Sequence, residues 1–135
     1  MFLLDTNVCV QYLRGKNELM RERLAACDVQ DVCLCSVVLA ELYYGYGALR
    51  SAKPDENRAK VDQFAAPFVC LPLDRMAADV FAVIRQHLAS QGQPIGPYDL
   101  QIAAIALANN CTLVTRNLGE FCRVPGLCVE DWESS

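Results

Sequence analysis

The chain has 135 residues, 53% hydrophobic and 21% charged, with twelve Lys and Arg against sixteen Asp and Glu for a net charge of −4. That length suits one compact domain, residues 1–135, with a core large enough to leave a cleft. The acidic balance argues against a protein that grips nucleic acid by phosphate neutralisation alone. No basic leader precedes an apolar run and no uncharged stretch is long enough to span a bilayer, so a cytoplasmic protein with no membrane association is expected.

Phe2-Leu3-Leu4 reads as a short buried strand, and Asp5 follows at its carboxyl end. Aspartate commonly caps a helix at such a place. Thr6 or Asn7 would serve equally for the helix expected over Thr6–Leu13, which leaves Asp5 available for another role. A helix over Leu19–Ala26 and a strand over Val32–Cys35 come next, with Ser36 placed to cap a helix over Val37–Leu49. Between Ser36 and Leu49 the sequence SVVLAELYYGYGAL holds one charge, Glu41. A helix apolar around most of its circumference is expected to be buried. A buried carboxylate either protonates or finds a cation.

Lys53-Pro54-Asp55 marks a turn into a helix over Glu56–Phe64; a strand over Val69–Leu71 and a helix over Arg75–Ser90, capped by Asp74, follow. Gly92, Pro94 and Gly96 close that helix, and Pro97 suits the first turn of the next, Tyr98–Asn109. GPYDLQIAAIALANN, from Gly96 to Asn110, again carries a single charge, Asp99, in the first turn. The helix dipole alone would favour an acid there. Thr112–Thr115 is the fourth expected strand.

Strands alternating with helices imply a parallel sheet covered on both faces, with the ligand site beyond the carboxyl ends of the strands. Asp5, Glu41 and Asp99 are all expected at that edge. Carboxylates ~5 Å apart in an effective dielectric of about 20 repel by roughly 3 kcal/mol per pair. A divalent cation relieves such repulsion, and an all-oxygen donor set favours Mg²⁺ or Mn²⁺. Setting these three acids aside leaves twelve basic against thirteen acidic residues, so much of the acidity belongs to the expected metal site. Magnesium held by carboxylates suits phosphoryl chemistry, polarising a phosphate oxygen and activating water.

The eight cysteines include no CxxC pair and His87 is the single histidine, so zinc is not expected. Cys33, Cys35, Cys70 and Cys111 lie in or beside apolar strands, where reduced cysteine packs as a small hydrophobe. His87 is expected to face solvent, away from the acids. A haloacid-dehalogenase-type phosphatase also begins with a strand and an aspartate. It needs a second Asp where Asn7 stands and a late lysine, and no lysine follows Lys60.

Four segments, FLLDTNVCVQYL, CSVVLAELYYG, PIGPYDLQIAAIAL and TLVTRNLGEFCRVPGLCVEDW, resemble in order and spacing the PIN-domain ribonucleases, most closely the VapC toxins of bacterial toxin–antitoxin pairs. The resemblance implies a PIN-like three-layer α/β sandwich whose short parallel sheet has four to five strands. It implies a Mg²⁺-dependent endoribonuclease, with Mn²⁺ able to substitute, that inhibits translation and growth. RNA is then the substrate, tRNA among the candidates, a VapB-type antitoxin the partner, and a homodimer the expected state. By position the resemblance makes Asp5, Glu41 and Asp99 the metal-site acids and Asn7 and Thr115 their support.

The fourth acidic position departs from the family pattern. Many relatives carry Asp at or just beyond the place of Asn117, whereas here Asn117 is followed by Glu120. Asn117 would act through its amide oxygen and is the preferred site residue; Glu120, on a loop, is placed in support, and the choice stays open. Arg116, at the strand's carboxyl end, is the best RNA contact. The Leu42-Tyr43-Tyr44-Gly45-Tyr46 run suits either an interface or core packing. A competing reading is a catalytically weak PIN-like module that binds RNA or protein, which the acidic balance favours.

Overall fold

Short leucine- and valine-rich runs form five strands in the computed structural model, which describes residues 1–47 and 53–134. Strands β1 (Phe2–Leu4), β2 (Val32–Cys35), β3 (Val69–Leu71), β4 (Thr112–Val114) and β5 (Val129–Glu130) alternate with helices α1 (Thr6–Arg14), α2 (Glu18–Ala25), α3 (Ser36–Leu42), α4 (Pro54–Ala65), α5 (Arg75–Ser90), α6 (Pro97–Ala108) and α7 (Leu118–Phe121). The sheet is all parallel in the order β3-β2-β1-β4-β5. Phe2 pairs with Val32 on one side and Thr112 on the other, so the sequence-distant β4 lies beside β1.

Leu3 and Leu4 of β1, all of β2, and Leu113 and Val114 of β4 are buried, as two-sided coverage of a parallel sheet requires. Helix α6 supplies the largest block of the opposing layer, with Ile102, Ala103, Ala104, Ile105 and Ala106 buried. Each fully buried leucine or isoleucine stabilises the fold by roughly 1.5–3 kcal/mol relative to exposure.

Several local expectations are corrected. Ser36 does not cap α3: β2 runs straight into the helix, Cys35 takes the cap position without a side-chain hydrogen bond, and Ser36 is the first helical residue. The α-helix ends at Leu42 and continues as a wider π-helical turn over Tyr43–Gly47. The last expected residues of that helix, 48 and 49, lie outside the described residues. Only Val38 and Leu42 of α3 are buried, because one face packs inward while the other opens onto a groove. Strand β3, expected in the core, is instead the sheet edge, where Val69 and Cys70 are exposed. Strand β5, two residues long, extends the other edge.

Cys9, Cys33, Cys35 and Cys111 are buried and unbridged. The Cys33 and Cys111 sulfurs lie 3.9 Å apart as thiols. Among the described residues no helix is long and apolar enough to cross a membrane.

Candidate active site

The strand order dictates where a site forms. From β1 the chain builds outward through β2 and β3, then returns to lay β4 and β5 on the other side of β1. The switch point therefore falls between β1 and β4, and the crevice beyond their carboxyl ends is the expected ligand site of an open parallel sheet. Asp5 leaves β1 there, and Thr115 leaves β4.

Asp5 caps α1 and stands at the switch point. Its backbone N–H donates to the Val114 carbonyl at 3.0 Å, and its Oδ1 accepts the Val8 N–H at 2.9 Å, capping α1. The cap is thus not made by Thr6, whose hydroxyl donates instead to Glu41 Oε1 at 2.6 Å. Asp5 is only 5% exposed. Burial pushes its carboxyl up to about 6; hydrogen bonds from Thr115 and Val8 oppose the shift, while nearby Glu133 and Glu41 add to it. Thr115, fully buried, also accepts the Asn117 N–H at 3.0 Å.

Asp99 sits in the first turn of α6, after Gly96, which makes no side-chain cap. Burial pushes it up to about 7, with Glu120, Asp5 and Glu41 adding to the shift. Glu120, on α7, stands against it. A β-carbon built on Gly96 would lie 3.7 Å from Glu120 Oε1 and 3.8 Å from Asp99 Oδ2, so both carboxylates converge on that backbone. Glu120 Oε1 accepts the Gly96 N–H at 2.8 Å, and its Oε2 accepts the Asn117 side-chain amide at 2.6 Å. Burial opposes ionisation of Glu120, but these bonds, one from Asp99, and the Arg123 charge together hold its carboxyl below the usual range. The two carboxylates therefore titrate as a pair, and their proximity favours keeping a proton between them when nothing else neutralises it.

The structure thus gathers Asp5, Glu41, Asp99 and Glu120, with Thr115 behind Asp5 and Asn117 spent on orienting Glu120. Asn7 is exposed on α1 and lines a cleft of about 290 Å³ with Arg116, Asn117 and Glu133. Arg116 draws the Glu133 carboxyl down, although burial, its largest influence, leaves it raised. Glu133 is absent from the residues singled out by sequence. Buried Trp132 packs edge-on to Phe2, with ring centroids 5.1 Å apart, and holds the segment beyond β5 against β1. The sequence signal for Glu133 is its place past a fifth strand, which a two-residue strand conceals. His87 is exposed on α5, as expected.

The donors suit a hard divalent cation: every one is a carboxylate oxygen, and their mutual repulsion is the energy an ion would relieve. Asp5, Glu41, Asp99 and Glu120 are the residues that would hold it. Among the described residues no three His, Cys, Asp or Glu side chains already form a cage around one point.

A stability prediction follows from Asp5. Its folded pKa, about 6, lies above the ordinary 3.8, so the folded state binds the proton more tightly. The resulting stabilisation is complete below the ordinary value and is lost as pH rises through about 6. At pH 8 without divalent ions the ionised carboxylate costs the fold up to about 3 kcal/mol. Asp5→Asn keeps an oxygen for the Val8 cap. It should melt higher than the parent at pH 8 in metal-free buffer, with the gap closing below pH 4. A gap independent of pH would contradict the account of the shift.

An all-parallel α/β sheet with carboxylates gathered at its switch point places the protein among α/β domains with an acidic carboxyl-edge centre. The PIN domain family model matches residues 2–127. The tRNA(fMet)-specific endonuclease VapC of Salmonella typhimurium is 41% identical over 131 residues, covering 97% of both chains. Toxin FitB of Neisseria gonorrhoeae is 33% identical over 126 residues, covering 90% of this chain and 91% of FitB. The crystal structure of DNA-bound VapBC from Salmonella typhimurium superposes with a TM-score of 0.90 at 40% identity, covering 97% of each chain. The chain belongs to the PIN-domain family, in its VapC group.

Proposed function

We propose that the chain is the endoribonuclease toxin of a toxin–antitoxin pair, hydrolysing RNA phosphodiesters at the β1/β4 edge with Mg²⁺, or Mn²⁺ in its place. The observation that carries the reading is the pairing of buried Asp5 with Asp99, both with raised carboxyls, at the switch point. When bound, the ion supplies charge neutralisation at the phosphate and activation of water.

The chain's own residues prepare that chemistry. Val8 and Thr115 hold Asp5. Thr6 fixes one oxygen of Glu41 and leaves the other for the site. Gly96 and Asn117 aim Glu120 at Asp99. We assign the fourth acid to Glu120, with Asn117 positioning it, which reverses the order preferred from sequence. Arg116, beside Glu133 at the rim, is placed to meet a substrate phosphate.

The 41% identity to a tRNA(fMet)-specific endonuclease supports a tRNA substrate and inhibition of translation. Similarity to the VapC chain of a VapBC complex supports a VapB-type antitoxin as partner. Homodimer formation and a cytoplasmic location complete the reading. The net charge of −4 favours a second reading, a catalytically weak module that binds RNA or protein. Mapping cleavage ends on total cellular RNA treated with antitoxin-free protein decides between them: discrete cuts in one RNA class support the nuclease. RNA left intact, though bound, supports the module.

A further inference from the structure

We infer that exposed Tyr44 and Tyr98 form a stacking platform for an unpaired RNA base beside the scissile phosphate. This inference rests on the proposed RNA substrate and assigns a base-recognition subsite next to the acids.

Each ring is attached close to an acid. Tyr98 immediately precedes Asp99 in the first turn of α6, and Tyr44 lies three residues beyond Glu41 in the π-helical turn that follows α3. Both line one groove of about 880 Å³, which Thr6 and Glu41 join to the acidic edge. Arg14 and Leu73 line it further out.

The two rings are each 58% exposed, unlike the tyrosines that serve the fold. Tyr12 packs against Phe64 and lies under Arg21. Tyr43 donates to Asp62 at 2.6 Å and lies under Arg58. Among the described residues Tyr44 and Tyr98 have no hydrogen bond, ring contact or cation contact. Two aromatic faces left unpartnered beside an acidic centre are suited to a flat, apolar-faced ligand.

Charge decides in favour of stacking as the source of affinity. The protein carries −4 overall, and among the described residues Arg14 is the one basic residue lining this groove. Neutralising one or two phosphates supplies little binding, whereas a base stacked on an aromatic ring is stabilised whatever its identity. A paired base has its faces covered by its neighbours, so the platform selects a loop or single strand over a duplex.

The test uses Asp99→Asn protein, to prevent turnover, and a single-stranded RNA oligonucleotide carrying 2-aminopurine, whose fluorescence is quenched on stacking. Binding should quench it, and the same strand annealed to its complement should bind at least about tenfold more weakly. Adding Tyr44→Ala or Tyr98→Ala should abolish the quench and weaken binding by about tenfold each, whereas Tyr→Phe at either position should stay within about twofold. The plot of log affinity against log salt should have a slope between about −0.7 and −1.4. Quenching by the Asp99→Asn protein, with the parent chain itself proving unable to cleave RNA, would uphold this inference and sink the nuclease reading. Folded alanine variants that bind and quench like the parent would overturn it.

Discussion

Replacing Asp5 or Asp99 by asparagine should lower RNA cleavage in Mg²⁺ by about three orders of magnitude while the chain stays folded. Each substitution removes one negative charge from the place where the proposed ion would be held, and charge stabilisation by such an ion is worth several kcal/mol in the transition state. Neither should act by unfolding. In Asp5→Asn the amide oxygen can still cap α1, and Asp99 makes no cap bond at the start of α6. For Asp5 the two readouts should move in opposite directions, since the carboxylate that serves the reaction destabilises the metal-free fold at neutral pH. Single-turnover rates and thermal melts of the same preparations test this. A variant with near-parental cleavage, or one whose lost cleavage tracks lost folding, would remove that acid from the site.

Glu120→Gln should reduce cleavage by about a hundredfold and Asn117→Ala by about tenfold, with the double variant no worse than Glu120→Gln alone. The Asn117 amide donates to Glu120 Oε2 at 2.6 Å, so Asn117 acts through Glu120, and residues acting as a unit are not additive. Asn117→Asp should be worse than Asn117→Ala, because it turns a donor to Glu120 into a second negative charge at the same distance. An Asn117→Ala defect larger than that of Glu120→Gln would restore Asn117 as the direct participant. Independent, multiplicative defects would break the link between the two.

The parts of this fold legible in the sequence are those whose physics is local. Phe2–Leu4, Val32–Cys35 and Thr112–Val114 stand out because central parallel strands are apolar on both faces. Asp5 stands out because it follows an apolar strand directly, and Asp99 because it is a lone acid at the start of an otherwise apolar helix. What cannot be read depends on neighbours distant in sequence. Val69–Leu71 has the same apolar composition as the central strands, and only the strand order makes it an exposed edge. Val129–Glu130 is too short to show a period, so the position of Glu133 near Asp5 is hidden as well. Whether Glu120 reaches Asp99 depends on how α7 packs against the turn before α6, a contact spanning 24 residues from Gly96 to Glu120. The expectation that α3 is buried fails for a similar reason: its apolar side, with Tyr44, faces a groove as well as the core.

The proposed function makes one central demand of the acidic centre: cleavage should need a divalent ion. Purified, antitoxin-free protein should cut RNA at discrete positions in Mg²⁺ or Mn²⁺ and stop in excess EDTA. Activity should return when the ion is restored, and the matched Asp99→Asn preparation should remain inactive throughout. Undiminished cleavage in EDTA by a preparation whose Asp99→Asn counterpart is inactive would contradict the account, because the acids would then be working without the ion.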